Sequence, residues 1–187
     1  MKRIIFVLLC LTVLCGCSDY REIERGYLVS AIGVNKTSDS VEIYLETQTA
    51  ALSDKTLERA VLNSNGNTLN NAFENLKLSL VKPLYFEQVA VVIFNSPLTV
   101  EDINFLTQIL KLNYGAYIVN TADITSLFAY ESPSEILGYD IITLIKNFEK
   151  EQKLNSRSRL FEVLKNNHSL SAVNIDRDKL VFILNEE

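Results

Sequence analysis

The first seventeen residues constrain this chain most, because they separate a leader from the part that folds. Met1-Lys2-Arg3 is followed by an apolar run from Ile4 to Leu14. At about eleven residues, this run is shorter than the roughly 20 that a membrane-spanning helix needs. A charged start, a short apolar middle and small residues at the end are typical of a signal peptide. We therefore predict that residues 1–16 are a leader that is removed.

The end of this leader predicts a covalent lipid. Leu14-Cys15-Gly16-Cys17 resembles a lipobox, in which an aliphatic residue, a small residue and Gly or Ala precede the cysteine that is modified. We expect a diacylglyceryl group on the Cys17 sulfur and cleavage just before Cys17. Two acyl chains hold a protein stably on a membrane, here on its outer face. The alternatives are an ordinary signal peptide cleaved nearby and an uncleaved anchor.

The cysteine positions limit what can stabilise the mature chain. Cys10 and Cys15 lie in the leader, and Cys17 would carry the lipid. No thiol is then left for a disulfide, a cysteine metal site or a cysteine nucleophile. The mature chain would have 187 − 16 = 171 residues, enough for one domain with a hydrophobic core.

The charge excludes one class of partner. The formal net charge is −5, and losing Lys2 and Arg3 makes the mature side chains about −7. We expect no nucleic-acid binding, since that depends on neutralising phosphates with basic side chains. The sequence also has no basic run that would hold anionic lipid, so membrane attachment should depend on the covalent anchor.

Hydrophobic patterns predict alternating strands and helices. We expect strands over Leu28–Asn35, Val41–Gln48, Leu84–Asn95, Ala116–Thr121, Leu170–Ile175 and Lys179–Leu184. We expect helices from Thr68, after Thr99 to a stop at Gly115, over 123–130, from Ser132 to about Gln152, and over 157–166. Residues 52–67 are expected to be a polar connection ending in the Asn65-Gly66 turn. The predicted fold is a single α+β (or α/β) domain with a mixed central sheet and several packed helices.

Two local patterns give finer predictions. Val41–Gln48 alternates strictly, which predicts a strand with one buried face and with Glu42 and Glu46 on its other, solvated face. Ser132-Pro133-Ser134-Glu135 has the residues of a helix start, with Ser as the cap and Pro in the first turn.

Residues that could carry catalysis are few. His168 is the only histidine and lies in a polar segment, which favours an exposed or capping role. The carboxylate pairs Glu42/Glu46 and Glu149/Glu151 could serve glycoside cleavage if held about 5 to 9 Å apart, but solvated surface charge is the more usual role. Tyr85 and Phe86 are expected to be core or sheet-edge aromatics. We predict no catalytic residue, no cofactor and no metal site.

Several segments together resemble the N-terminal domain of the Ger(x)C family, the lipoprotein C subunits of nutrient germinant receptors in spore-forming bacteria. They are Cys17-Ser18-Asp19-Tyr20-Arg21-Glu22-Ile23, Ala31-Ile32-Gly33-Val34-Asn35, Gly66-Asn67-Thr68 followed by Ala72, and Leu84-Tyr85-Phe86-Glu87-Gln88-Val89. Their order and spacing match over about residues 17 to 150. The chain departs from the family pattern at Ser18 (usually Trp), Asn35 (Asp) and Gln88 (His), and it lacks an Arg-Asp pair after Leu112-Asn113-Tyr114.

The resemblance implies a domain division and a role. Residues 1–16 would be the lipoprotein signal peptide, 17–26 a lipidated tether and 27–187 the globular domain. Family members carry further C-terminal domains, so we expect this chain to be a short form. It would be a non-catalytic, lipid-anchored subunit of a spore nutrient germinant receptor at the spore inner membrane, with two receptor membrane subunits as partners. The alternatives are a lipoprotein ligand-binding module serving a transporter and a surface hydrolase built on carboxylates.

Overall fold

The protein folds around one mixed sheet with helices on both of its faces. The computed structural model describes residues 26–50, 57–153, 158–166, 170–176 and 179–184. The strands are β1 (Tyr27–Lys36), β2 (Val41–Ala50), β3 (Leu57–Gly66), β4 (Leu84–Tyr85), β5 (Val91–Phe94), β6 (Tyr117–Asn120), β7 (Ala172–Asp176) and β8 (Lys179–Ile183). The helices are α1 (Leu69–Leu78), α2 (Val100–Asn104, continued by a π-helical turn Phe105–Ile109), α3 (Ile124–Ala129), α4 (Leu137–Gln152) and α5 (Leu160–Asn166).

The strand order confirms the predicted α+β fold. It is β3-β2-β1-β5-β6-β7-β8, and β4 pairs with the start of β1. β1, β5, β6 and β7 run parallel, whereas β2 pairs antiparallel with both β1 and β3, and β8 pairs antiparallel with β7. We call the edge at which β1, β5 and β6 begin the amino edge, and the opposite edge the carboxyl edge.

Each face of the sheet has its own hydrophobic core. On the first face, Ile32, Val92 and Ile118 belong to the cluster that includes α1, α2 and α5. On the second face, α3 and α4 pack on the opposite side chains of the same strands. A Cβ atom on Gly33 would lie 2.5 Å from the ring of Phe128. The missing side chain therefore lets α3 pack closely on β1.

Helix α1 forms where its sequence predicts. Thr68 is its N-cap and accepts a hydrogen bond from the backbone N–H of Asn71, satisfying one of the free donors of the first turn. Its buried side chains recur at helical spacing and face the first core: Leu69, Ala72, Phe73 and Leu76.

Helix α2 starts as predicted but ends differently. Thr99 and Asp102 form a reciprocal capping box. The π-helical turn that follows changes the angular register, so Ile109 is exposed while Leu106 and Leu110 are buried. Lys111, with φ 52°, takes up the left-handed conformation soon after the helix ends, so the stop predicted at Gly115 is wrong.

Two strand predictions need correction. The segment predicted as a polar connection contains strand β3, which pairs with β2 along its whole length. It was missed because it is an edge strand whose exposed positions Val61, Asn63 and Asn65 alternate with partly buried ones. The single strand predicted over Leu84–Asn95 is two strands, since the chain turns where the Val89 N–H donates to the Phe86 carbonyl at 3.1 Å.

The start of α4 is also not where the local motif places it. Ser132 does not cap this helix; its hydroxyl donates to the carboxylate of Asp140, and Glu135 has a φ of 64°. The helix begins at Leu137, and its N-cap residue Ile136 has no side chain that can bond to the first turn. A Cβ atom on Gly138 would lie 2.7 Å from the Ser30 carbonyl oxygen. The start of α4 therefore lies directly against the backbone of β1.

This close approach makes Gly138 sensitive to substitution. We expect Gly138→Ala to lower the free energy of unfolding by about 1–3 kcal/mol, because neither backbone can move without disturbing a packed layer. Gly115→Ala is the matched control: its Cβ would meet only the Asn113 side-chain oxygen, at 3.3 Å, and neither glycine has a positive φ. Urea unfolding of both variants measures the difference, and equal losses would contradict the packing argument.

Candidate functional site

The predicted lipidation site, Cys17, lies outside the described residues. The first described residue is Gly26, and the next backbone N–H, that of Tyr27, donates to the Pro83 carbonyl at 2.9 Å. A Cβ atom on Gly26 would overlap the ring of Tyr85. The chain therefore joins the fold at the amino edge, beside β4 and the loop that precedes it.

The carboxylate pair Glu42/Glu46 does not form the solvated face that the alternation predicts. Glu46 is fully buried, because α4 covers this face of β2. One of its carboxylate oxygens accepts from the Leu137 N–H at 2.7 Å, and the other accepts from the Gly138 N–H at 3.0 Å. The Ser30 hydroxyl donates to that second oxygen at 2.6 Å. Glu46 thus binds the positive end of the α4 dipole, in place of a local cap.

Arg59 completes this buried network from β3. Its Nε donates to Glu46 at 2.8 Å. Its two terminal nitrogens donate to the backbone carbonyls of Tyr130 and Phe128 at 3.3 and 3.2 Å, where α3 ends. We call Glu46, Arg59, Ser30 and the first two N–H groups of α4 the Glu46 network. Because its carboxylate oxygens are all engaged, Glu46 positions helices and is not available to a substrate.

The other acids considered in the sequence analysis lie on β2 and at the end of α4. Glu42 is partly buried and accepts from the Asn35 amide at 3.4 Å. Glu149 and Glu151 lie in the last turn of α4, where Glu149 is partly buried and Glu151 is exposed. Within the described part of the chain, no group of three or more His, Cys, Asp and Glu side chains could hold a metal ion. His168 lies outside the described residues.

The carboxyl edge, where ligands bind in many open α/β sheets, carries a polar cluster that sequence reasoning missed. Asn95 follows β5; its side-chain oxygen accepts from the Lys36 N–H at 2.8 Å, and its amide nitrogen donates to Asn35 at 2.7 Å. Asp102, also buried, accepts from the Lys36 ammonium at 2.5 Å and from the Thr99 N–H at 2.7 Å. These groups tie the ends of β1 and β5 to the start of α2.

A second polar group at this edge caps α3. The Asp123 carboxylate accepts from the side chain and backbone N–H of Ser126, at 2.5 and 3.0 Å. These hydrogen bonds, the side-chain one first, lower the pKa of Asp123, because they favour the charged form. Asn174 from β7 accepts from the Thr121 hydroxyl and the Ala122 N–H. Asp123 and Asn174 therefore hold the start of α3 and the end of β6 in place.

The amino edge carries a hollow of about 540 Å³ on the first face of the sheet. Its walls include Phe73, Leu80, Val81, Lys82, Leu84 and Ile109. Phe86 packs edge-on against Phe73 with ring centroids 5.7 Å apart. Tyr85 and Phe86 are therefore the sheet-edge and core aromatics that were predicted. Val81 is almost wholly exposed, and so is Leu78, which follows the lining residue Lys77 in sequence.

The fold defines this protein as a helix-covered mixed-sheet domain whose candidate site is a surface at the amino edge. Over the residues described, no helix is both long and apolar enough to cross a membrane. The chain matches the family described as "Spore germination protein N-terminal domain" over residues 19–173. It belongs to that family, as its resemblance predicted, and acts in spore germination. No curated protein and no solved structure matches it.

The Glu46 network yields a stability prediction. Glu46→Gln places an NH₂ group opposite a donor and leaves Arg59 without its anionic partner. We expect a loss of about 3–5 kcal/mol in the free energy of unfolding, as for other buried ion pairs that lose one member. Glu42→Gln, on the same strand and face but less buried, should stay within about 0.5 kcal/mol. Chemical denaturation compares them, and a mild effect of Glu46→Gln would show that the network is dispensable.

Proposed function

We propose that this protein is a lipid-anchored, non-catalytic subunit of a spore nutrient germinant receptor, contributing to assembly or signalling. The observation that carries the proposal is the family match, which begins at residue 19, two residues after the lipobox cysteine Cys17. A folded domain of this family then follows a sequence that specifies export and lipid attachment. Such a protein sits on the outer face of the spore inner membrane.

A non-catalytic role is supported by how the polar groups are used. At the carboxyl edge, Asn95 and Asp102 hydrogen-bond to the ends of their own strands and helices. The buried carboxylate of Glu46 is occupied by α4 and Arg59. Groups engaged in this way hold the fold together and are not poised to transfer protons to a substrate.

The partners follow from the receptor role. Two membrane subunits of the receptor would contact the anchored domain. The conformational signal caused by nutrient binding would be transmitted among the three proteins. The contribution of this chain would be a rigid folded domain fixed at the membrane surface. Recruitment by the lipid confines the domain to the plane of its partners, which raises its effective concentration there.

Lipidation itself is tested by mass measurement of the mature N-terminus. We expect the N-terminal peptide of the membrane-bound protein to begin at Cys17 and to carry the mass of a diacylglyceryl group. Cys17→Ala should leave the leader uncleaved at this site and remove the lipid mass. Gly16→Ala is the matched control, since the lipobox accepts Gly or Ala there. An unmodified N-terminus at another residue would refute lipid anchoring.

Receptor assembly is tested by native pull-down from detergent-solubilised spore membranes. Tagged wild-type protein should recover both membrane subunits of a germinant receptor, and recovery should fall with Cys17→Ala because the variant lacks the lipid that places the domain beside its partners. Gly16→Ala should behave like the wild type. Recovery of neither subunit, from membranes shown to contain both, would overturn the receptor assignment.

A further inference from the structure

We propose that the loop between α1 and β4 rests on the lipid surface and sets the orientation of the domain on the membrane. The proposal rests on the anchored function above. It concerns what we call the lip: the exposed aliphatic side chains Leu78 and Val81, flanked by Lys77 and Lys82. The occupant of this surface is the headgroup and upper acyl region of a phospholipid bilayer.

The first argument is exposure. Leu78 is 86% exposed and Val81 is 96% exposed. Single exposed apolar side chains are common on proteins, but Leu78 is the last residue of α1 and Val81 follows three positions later in the loop. Ile109, which lines the same hollow as Val81, is also exposed. An apolar group that projects this far from the fold is stabilised if it enters an apolar phase.

The second argument is the location of the chain start. The Tyr27 N–H bonds to the Pro83 carbonyl, two residues after Val81. Eight residues separate Cys17 from Gly26, and a chain of that length spans at most about 30 Å. The domain is therefore held close to the bilayer by the edge that carries the lip.

The third argument is charge. The protein as a whole is acidic, with a net charge of −5, yet the lip is flanked by two lysines. Lys82 lies over the ring of Tyr27, 5.8 Å from its centroid, so its ammonium stays beside the start of the chain. Lys77 pairs with Glu74 at the surface. A lysine near an anionic bilayer favours contact by roughly fivefold, and Lys82 is the lysine of the lip to which this applies, because Glu74 offsets the charge of Lys77.

The amino edge continues the apolar surface beyond the lip. Tyr114, just before β6, and Phe161, at the start of α5, are both exposed. They are adjacent, since the Phe161 N–H donates to the Tyr114 carbonyl at 3.1 Å. Tyrosine is enriched at membrane interfaces, and the phenylalanine beside it adds apolar surface. The amino edge thus carries exposed aromatic side chains as well as the exposed aliphatic side chains of the lip.

The absence of tryptophan from the sequence makes a direct test possible. Val81→Trp places a single tryptophan in the lip. Val100→Trp is the matched control, because Val100 is 75% exposed but lies at the carboxyl edge, where α2 begins. Both would be made in the chain 17–187, which keeps every described residue and contains one thiol, that of Cys17. Circular dichroism checks that both variants fold.

Cys17 would be coupled to a maleimide lipid in vesicles of phosphatidylcholine and phosphatidylglycerol, with or without brominated acyl chains. We expect the tryptophan at position 81 to shift its emission to shorter wavelength on coupling and to lose emission to the brominated chains. The tryptophan at position 100 should do neither. Adding Lys82→Glu should weaken the quenching at position 81, whereas Lys179→Glu, at the carboxyl edge where β8 begins, should not.

Equal quenching at positions 81 and 100, or none at either, would overturn the proposal. The proposal would also be overturned if the emission of the tryptophan at position 81 shifted only when receptor membrane subunits were added to the vesicles. The lip would then be a protein contact. Coupling supplies the anchor chemically, so this outcome is independent of whether cells lipidate Cys17. If quenching fails but the native N-terminus is lipidated, the membrane contact of the lip is rejected and the anchored function stands.

Discussion

The buried carboxylate of Glu46 is the interaction on which most of this structure depends. It joins β2 to β1 through Ser30, to β3 through Arg59, and to α4 through two backbone N–H groups. Removing a carboxylate from water costs several kcal/mol. That cost is offset here because both oxygens have charged or backbone donors, and because charge-assisted hydrogen bonds are about twice as strong as neutral ones. The longest helix of the described chain, α4, is therefore capped by Glu46, which lies 91 positions before Leu137 in sequence.

Sequence reasoning succeeds where structure is determined locally. The start of α1 follows from Thr68 and the helical spacing of the apolar residues after it, and the α2 capping box follows from Thr99 and Asp102. Strands β1 and β6 are predicted from their apolar runs. Both lie in the interior of the mixed sheet, on either side of β5. The family was also visible, because its motifs are spread along the chain in the right order. The helix starts, the two strands and each family motif taken singly depend only on neighbouring residues.

The errors arise where a distant element decides the structure. Alternation on β2 correctly gives the side of the sheet on which Glu46 lies, but whether that side is covered depends on α4. The sequence of β3 is mostly polar. It forms a strand because β2 pairs with it along its full length. The Ser132 motif has the right residues for a helix start, yet α4 starts at Leu137, where Glu46 provides the cap. No pattern within a short window contains these partners.

The topology also explains why a lip can lie beside a tether that is some fifty residues earlier in sequence. Strand β3 ends at the carboxyl edge, opposite the start of β2, so α1 must run back toward the amino edge. The α1–β4 loop consequently arrives next to the first residue of β1, where Tyr27 pairs with Leu84. With Cys17 lipidated as proposed, the membrane anchor and this loop would lie at the same edge of the sheet. Polar residues at these two exposed positions would favour solubility, and the proposed contact with lipid gives a physical reason for Leu78 and Val81.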